Sequence, residues 1–317
     1  MQKIPARKKL LFFITLITTS FVAFAQSASS AEVKMEGSEG TTLTGKVMAT
    51  FDQPWAMTFL PDGHSLVTEK EGVIWLLDKN QQKRFSVENV PDVTAQGQGG
   101  LGDVIIHPEF ATNKTVYVSY IERDPQDDAF SGAVIERATL NITNNSASLS
   151  DREIIWRQSP KVTGNGHYSH RRVFSPDGYL FITSGERQKF TPAQNMAMNL
   201  GKILRLNDDG SVPEDNPFVG NGDVTGQIWT LGHRNPLGID FDAEGNLWAH
   251  EMGPRHGDEL NIIERGRNYG YPMVSQGDHY SGTKIPNHED FPIFKAPEKA
   301  WVPAISPAGF IIYKGTM

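Results

Sequence analysis

The sequence contains no cysteine, almost no long apolar run and few basic residues, and each shortage narrows the choice of chemistry. Without thiols, the chain can form neither disulfides nor zinc–thiolate centres and has no cysteine nucleophile. Acidic residues outnumber basic ones, 37 against 30, for a formal net charge of −7. That balance argues against nucleic acid as a partner, because phosphate contacts need clustered Lys and Arg. A chain of this length without disulfides must be held together by an apolar core.

The one long apolar run lies at the N-terminus and is typical of an export signal. A basic segment ending at Lys9 precedes the run Leu10–Ala25, which closes in a small-x-small pattern. The run has about 16 residues, whereas a membrane-spanning helix needs roughly 20. We therefore predict a cleaved signal peptide at 1–25, a polar segment at 26–44, a periplasmic or secreted location and no stable membrane insertion.

The rest of the chain consists of short apolar runs between turns, and one pattern repeats. Three clear copies are Phe59–Val67, Phe174–Ile182 and Phe241–Ala249, and a looser copy begins at Ile106. Each copy is a strand, a turn with glycine at a position that favours positive φ, and a second strand. Single hairpins cannot bury their own faces, and copies stacked around an axis form a β-propeller. The sequence therefore predicts an all-β propeller over 45–317, with a sandwich of unrelated hairpins as the alternative.

The last residues, 310–317, also read as part of a strand. A propeller normally closes by pairing its last blade with its first, because an open ring leaves sheet edges exposed. We therefore expect an incomplete ring that lacks its last blade or blades.

Two glycine-rich segments interrupt the strand pattern and are candidates for a site. Gln96–Asp103 has glycines that let a backbone approach a ligand closely, but it lacks the helix of a phosphate-binding loop. Gly164–Arg172 holds His167, which could act as a general base at the mouth of the channel. Glu186 follows one hairpin later, and the hairpin returns the chain to the same end. Glu186 could therefore orient the His167 ring; the alternative is that the two never meet.

A third region combines a proline-bounded turn with a charged loop. Arg234 and Asn235 precede Pro236 and form a donor set suited to a carbonyl or carboxylate. The later run 250–259 places carboxylates around a Gly253-Pro254 turn whose carbonyls suit Ca²⁺. The spacing of its histidines does not match a helical zinc motif. A solvated charged loop is the alternative.

Together these segments resemble the pyrroloquinoline quinone (PQQ)-dependent soluble aldose sugar dehydrogenases of the glucose/sorbosone dehydrogenase family, which are six-bladed β-propellers. The resemblance extends in order and spacing from about residue 45 to the end. The matching stretches are Gln53–Met57, Gly97–Leu101, Gly166–Tyr168 with Arg171, Gly232–Pro236, Gly253–Asn261 and Gly266–Pro272.

The resemblance implies a catalytic role for three residues. His167 would be the base that takes the proton from the anomeric hydroxyl of an aldose sugar while hydride passes from C1 to PQQ. Glu186 would be the acidic partner of that histidine. Arg234 would meet the negative charge that develops on the quinone oxygens.

The resemblance also implies how the cofactors are held. Gln98 would contact the cofactor or the sugar, and Asn235 would join Arg234 in polarising the quinone. The backbone carbonyls of Gly253 and Pro254 would hold Ca²⁺, which acts as a Lewis acid on PQQ. An external electron acceptor would complete the cycle, and a homodimer is compatible with the sequence.

The chain departs from the family pattern in two ways. His170 stands where the family has glycine, so we expect it to narrow the pocket or occupy cofactor space. The family's C-terminal blades, with the basic residues that hold the PQQ carboxylates, have no counterpart in this sequence. A calcium-dependent lactonase-type propeller, or a non-catalytic propeller that binds a partner or glycan, is therefore the alternative function.

Overall fold

The computed structural model describes residues 32–37, 40–81 and 84–315. The predicted signal peptide, residues 1–25, lies outside them. Among the described residues, no helix is long and apolar enough to cross a membrane. The chain divides into two units, one ending at Met48 and the next starting at Ala49.

The described part of the first unit is a two-stranded hairpin. Strand β1 (Glu32–Glu36) pairs antiparallel with β2 (Thr42–Lys46). Much of the predicted polar segment, 26–44, therefore has strand structure in the residues that are described.

The described residues of the second unit form four antiparallel meanders, each of four main strands in chain order; the first two meanders belong to one nine-stranded sheet, and the third and fourth are separate sheets. The strands are β3 (Pro54–Phe59), β4 (Ser65–Glu69), β5 (Val73–Leu77) and β6 (Arg84–Glu88); β7 (Leu101–Ile106), β8 (Thr115–Arg123), β9 (Phe130–Ile142) and β10 (Ala147–Arg157), with the short β11 (Val162–Thr163) beside β9; β12 (Ser169–Phe174), β13 (Leu180–Ser184), β14 (Lys202–Leu206) and β15 (Ile228–Leu231); and β16 (Pro236–Phe241), β17 (Leu247–Glu251), β18 (Asp258–Ile262) and β19 (Lys299–Trp301). In the part of the chain that the structure describes, helical structure is limited to α1 (Phe110–Asn113), α2 (Asp223–Gly226) and 3-10 turns at Thr191–Gln194 and His288–Asp290. A short parallel pairing of β6 with β10 joins the edges of the first two meanders.

The four meanders are arranged as blades around a common axis. Their first strands contact one another in sequence, β3 with β7, β7 with β12 and β12 with β16. Meander sheets whose first strands line an axis are the blades of a β-propeller, so the predicted fold class is confirmed. The described residues form four blades, fewer than the six that the family resemblance implies for a whole ring.

The apolar core lies between the blades and follows from the period-2 pattern of strands. Val118 packs in the cluster between the first two blades, whereas its neighbour Tyr117 packs between the second and third. In the third blade, Ile182 faces the second blade and Phe181 faces the fourth. Successive side chains point to opposite faces, so each central strand contributes to two interfaces. Full burial of such a side chain contributes about 1.5–3 kcal/mol.

The repeated sequence pattern forms the first hairpin of three blades. The turns of β3–β4, β12–β13 and β16–β17 place Gly63, Gly178 and Gly245 at φ of +94°, +90° and +86°. These values lie in the region that glycine adopts without steric cost, as the sequence predicts. Each hairpin returns the chain to the end of the ring at which it began.

One expectation about the C-terminal residues is wrong. Residues 310–313, which read as a strand, have no strand structure in the part of the chain that is described. The backbone N–H of Ile312 instead donates to a side chain, Asp240 Oδ2, at 2.8 Å. A strand needs a neighbouring backbone for its ladder of hydrogen bonds, and a single side-chain acceptor does not supply one.

Candidate active site

The predicted site residues lie in loops at one end of the ring. These loops either precede the first strand of a blade or follow its second strand, and the hairpins bring both kinds to the same end. The loops before β12 and after β13 carry His167 and Glu186, and the loop before β16 carries Arg234. Three stretches that are distant in sequence therefore meet in space.

His167 and Glu186 form a buried hydrogen-bonded pair, as the sequence predicts. His167 Nδ1 lies 2.5 Å from Glu186 Oε1. The other carboxylate oxygen accepts the backbone N–H groups of Lys189 at 2.5 Å and Phe190 at 2.6 Å. An ionised carboxylate can only accept, so Nδ1 carries the proton and Nε2 remains as the basic nitrogen.

The surroundings favour a neutral histidine beside a charged carboxylate. Burial lowers the pKa of His167, the hydrogen bond to Glu186 partly opposes this, and the positive charges of Arg234 and Arg187 lower the pKa further. Burial raises the pKa of Glu186, but the hydrogen bonds and charge of its partners outweigh burial and leave the pKa below its usual value. The His167 ring is therefore uncharged near neutral pH, with its proton on Nδ1, and its Nε2 can accept a second proton.

A close approach of two backbones makes the pair possible. Gly185 lies directly against the loop of His167, and a Cβ at this position would be 2.1 Å from the His167 carbonyl oxygen. The Gly185 N–H donates to the Tyr168 carbonyl at 3.2 Å. Only glycine fits between the two loops at position 185. Their close approach brings Glu186 within reach of the imidazole of His167.

Arg234 is held from several sides by its neighbours. Its backbone N–H donates to Glu251 Oε2 at 2.6 Å, and its Nη1 donates to the Met252 carbonyl at 2.9 Å. Its carbonyl accepts the N–H of Glu186 at 2.9 Å. Its Nε is buried and has no hydrogen-bond partner among the described residues. A buried cation with a donor that lacks a partner, next to His167, is a candidate binding site for an anionic group.

The predicted residues are divided between two neighbouring cavities. One cavity, of about 240 Å³, is lined by His167, Glu186, Arg234 and Pro254 together with Gln188, Phe190, Tyr271, His279, Tyr280 and Ser281. The other, of about 270 Å³, is lined by Gln98 and Asn235 with Trp55, Lys70, His170 and further residues. Gln98 Oε1 accepts the backbone N–H of His167 at 2.7 Å, so this side chain contacts the His167 loop directly.

The Gly253-Pro254 turn borders the first cavity through Pro254. The Gly253 N–H donates to Asp258 Oδ1 at 3.0 Å, while Asp258 Oδ2 accepts the N–H groups of Ile305 and Ser306. Asp258 is therefore occupied in holding the loop. Within the described residues, no group of three or more His, Asp or Glu side chains is arranged to hold a metal ion. A cation here would depend on backbone carbonyls, the ligands predicted from the sequence.

A family model described as glucose/sorbosone dehydrogenase matches residues 51–317. The chain belongs to the glucose/sorbosone dehydrogenase family. An aldose sugar dehydrogenase of Escherichia coli K12, YliI, is 41% identical over 239 residues, which are 74% of this chain and 63% of that protein. The chain thus spans less than two thirds of the length of this relative.

Solved structures in the same family share the fold. The apo-form of the soluble aldose sugar dehydrogenase from E. coli superposes with a TM-score of 0.76 at 37% identity, over 81% of this chain and 74% of that one. The PQQ-bound aldose sugar dehydrogenase of Streptomyces coelicolor superposes with a TM-score of 0.68 at 28% identity, over 82% of this chain and 71% of that one.

The structure shows how the chain accommodates His170 in place of the family glycine. The residue has a φ of +62°, in the region that glycine favours. Its ring stacks on Trp55 with centroids 4.9 Å apart, and its Nδ1 lies 2.8 Å from Ser119 Oγ. Gly102 leaves room for the ring, since a Cβ there would be 2.0 Å from His170 Cε1. His170 lines the second cavity, beside Gln98, and so forms part of its wall.

The structure adds Glu251, a supporting residue that sequence reasoning did not assign. Glu251 is buried and accepts from both His233 Nδ1, at 2.8 Å, and the Arg234 N–H. It therefore fixes the loop that presents Arg234. Glu251 ends β17, just before the Gly253-Pro254 turn, and this position is visible in the sequence. Nothing in the spacing indicates that its carboxylate contacts the loop of Arg234 before β16.

Proposed function

We propose that the chain is a PQQ-dependent oxidoreductase that oxidises the C1 hydroxyl of aldose sugars to the lactone. The observation that carries the proposal is the buried His167–Glu186 pair beside Arg234 in one cavity. Membership of the glucose/sorbosone dehydrogenase family supports it. We further propose that the protein works in the periplasm or is secreted, with an external electron acceptor.

The residues at the cavity fit an anionic quinone. Arg234 lines the cavity and has a buried Nε without a partner in the described chain, so a quinone oxygen would satisfy it. Arg234 and Asn235 would hold PQQ, with Gln98 contacting the cofactor or sugar. The Gly253 and Pro254 carbonyls would hold Ca²⁺. PQQ, when bound, supplies the hydride acceptor, and Ca²⁺ supplies Lewis acidity.

The side chains of this chain account for the proton that leaves the sugar. His167 Nε2 accepts the proton of the C1 hydroxyl as the C1 hydrogen departs with its electron pair, which leaves the lactone carbonyl. Glu186, ionised and hydrogen-bonded to Nδ1, stabilises the imidazolium that results. The cation of Arg234 offsets negative charge that develops in the cavity.

Reconstitution of the purified full-length chain tests the proposal. The protein is incubated with PQQ and Ca²⁺, and dye reduction is measured with a panel of aldoses, beside His167→Ala. His64→Ala is a matched control, because His64 lies in the turn between β3 and β4, away from both cavities. We expect a PQQ-dependent rate that His167→Ala abolishes and His64→Ala retains.

Two outcomes would overturn the proposal. Equal rates for the parent and His167→Ala would remove His167 as the base, and no PQQ-dependent rate would remove the dehydrogenase. Calcium-dependent opening of a lactone without PQQ would instead support the lactonase alternative.

A further inference from the structure

The loops that hold the base have an unusual backbone. Among the described residues, thirteen other than glycine have positive φ, and six of them lie at 167–170 or 187–190. They include His167 at +49° and Arg187 at +62°. Such conformations persist only where the surrounding structure holds them. The two loops therefore need a strong fastening.

Arg187 has the contacts to provide that fastening. Its side chain is only 1% exposed. Its Nε donates to the Gly166 carbonyl at 3.0 Å and its Nη2 to the Gly164 carbonyl at 2.5 Å. Its Nη1 donates to the Ser131 carbonyl at 2.6 Å, which ties the loop to strand β9. One planar group thus bonds to three backbone carbonyls, two of which lie just before His167.

Two further contacts fix Arg187, one through its side chain and one through its backbone. The Arg187 guanidinium lies 3.7 Å from the centre of the ring of Tyr168, the residue that follows His167 in the sequence. The Arg187 backbone N–H donates to the His167 carbonyl at 3.3 Å. Within the described residues no carboxylate is close enough to form an ion pair with the guanidinium, so carbonyl oxygens, the Ser131 hydroxyl and the aromatic face satisfy it. Burial lowers the pKa of Arg187 to about 10, which leaves it charged at neutral pH.

We propose that Arg187 is the positioning residue of the base, holding the Gly164–Gly166 segment so that the His167 ring meets Glu186 in one fixed geometry. The proposal rests on the function proposed above, which makes His167 the base. Lysine is not an equivalent replacement here, because a compact ammonium lacks the planar fork of N–H donors with which arginine meets these three carbonyls and stacks on an aromatic ring.

Charged and titratable groups surround His167 on several sides. Glu186 and Arg187 come from the segment after β13, Arg234 from the loop before β16, and Tyr271 and His279 from the far side of the cavity. Arg187→Lys keeps the positive charge. A change at His167 in this variant therefore reports geometry rather than lost charge.

The test measures His167 with and without turnover. In the full-length chain without cofactor, the Nδ1 proton of His167 is followed by NMR, assigned by its absence in His167→Ala. We expect Arg187→Lys to exchange this proton at least tenfold faster, because the bond to Glu186 is loosened. In the reconstituted enzyme we expect kcat to fall about tenfold, with KM within twofold.

Arg205→Lys is a matched control for the loss of a buried arginine. Arg205 also stacks on a tyrosine, with its guanidinium 3.6 Å from the centre of the Tyr179 ring, and it lies in β14 outside both cavities. The Arg205→Lys variant should leave the exchange rate of the His167 proton and kcat unchanged.

If Arg187→Lys does not fold, Tyr168→Phe provides the test, because it removes a hydroxyl that donates to the same Gly164 carbonyl at 3.2 Å. We expect Tyr168→Phe to exchange the proton about threefold faster.

Unchanged proton exchange in the folded Arg187→Lys variant, or in Tyr168→Phe where that variant decides, would overturn the proposal. The NMR measurement needs no turnover. Failure of the proposed function, seen as no PQQ-dependent rate, is therefore distinct from failure of the positioning role.

Discussion

The fourth blade contains a second buried histidine–glutamate pair, and its comparison with the first shows which of the two histidines has a nitrogen available to a ligand. His233 Nδ1 lies 2.8 Å from Glu251 Oε1, much as His167 Nδ1 lies 2.5 Å from Glu186 Oε1. The other nitrogen of His233, however, lies 2.9 Å from Thr230 Oγ1, and its ring is fully buried. His167 Nε2 makes no hydrogen bond within the described residues, and His167 lines a cavity. The first pair can exchange a proton with a ligand, whereas the second can only hold a loop.

The largest expected effect separates the two histidines. His167→Asn should lower kcat about a thousandfold, as loss of a general base does. His233→Asn should lower kcat no more than about tenfold, because it only loosens the loop of Arg234. Dye reduction at saturating sugar measures both. Equal losses in the two variants would break the comparison.

The two glutamates should differ by a smaller factor. Glu186→Gln should lower kcat about a hundredfold, because a neutral amide does not stabilise the imidazolium. Glu251→Gln should change kcat no more than about threefold but raise the PQQ concentration needed for half-maximal activity about fivefold, since Arg234 loses an anchor. Titration with PQQ measures both effects. A stronger kcat effect at Glu251 would contradict the assignment.

His170 extends the comparison to a buried histidine whose partner is a hydroxyl. Burial and the charges of Arg172 and Arg171 lower its pKa well below the usual 6.5. Below pH 6.5 the unfolded chain therefore binds a proton at His170 that the folded chain does not. The contribution of His170 to the free energy of unfolding accordingly becomes less favourable to the folded state as the pH falls. His170→Asn should reduce the pH dependence of the unfolding free energy by up to about 1.4 kcal/mol per pH unit below that point.

Urea unfolding at pH 5, 6 and 7 measures that slope, with His64→Asn as the control. His64 is a histidine of the β3–β4 turn and is not fully buried. The same slope in the parent and His170→Asn would show that His170 gains no proton on unfolding.

The smallest expected effect concerns Phe190, which lines the cavity next to His167. Phe190 lines this cavity and is 45% exposed, so it offers an apolar face to a sugar. Phe190→Ala should raise KM about threefold and leave kcat within twofold, in line with the roughly 0.5–1.5 kcal/mol of an aromatic contact. Phe291, also 45% exposed but outside the cavity, provides the control variant Phe291→Ala. An equal change in KM for both would remove Phe190 from the sugar site.

Local patterns in the sequence predict much of this molecule. The repeated hairpins predict the all-β class, because each copy of the repeat by itself contains the turn glycine and the alternating apolar residues of a hairpin. The same hairpin logic brings Glu186 to the end of the blade that carries His167 but leaves open whether the two meet, and the structure shows that they do, at 2.5 Å.

Contacts between loops of different blades could not be predicted from the sequence. The hydrogen bond from the His167 backbone N–H to Gln98 Oε1 joins residues 69 apart, and that from Arg187 to the Ser131 carbonyl joins residues 56 apart. Neither leaves a spacing signal. Such contacts depend on how blades pack, and packing is set by interfaces whose apolar residues look alike in sequence. The catalytic roles of His167, Glu186 and Arg234 stay predictions. So do the roles of Gln98, Arg234, Asn235, Gly253 and Pro254 towards PQQ and Ca²⁺.

The hydrogen bond from the Glu186 N–H to the Arg234 carbonyl has a consequence for folding. It joins a loop of the third blade to a loop of the fourth, so the acid–base pair and the cation are brought together only when those blades dock. A folding intermediate with its sheets formed but the fourth blade undocked would have nearly native far-ultraviolet circular dichroism. It would nevertheless lack an assembled site. During refolding, activity should therefore return later than secondary structure, and the delay between them would time the docking of one blade.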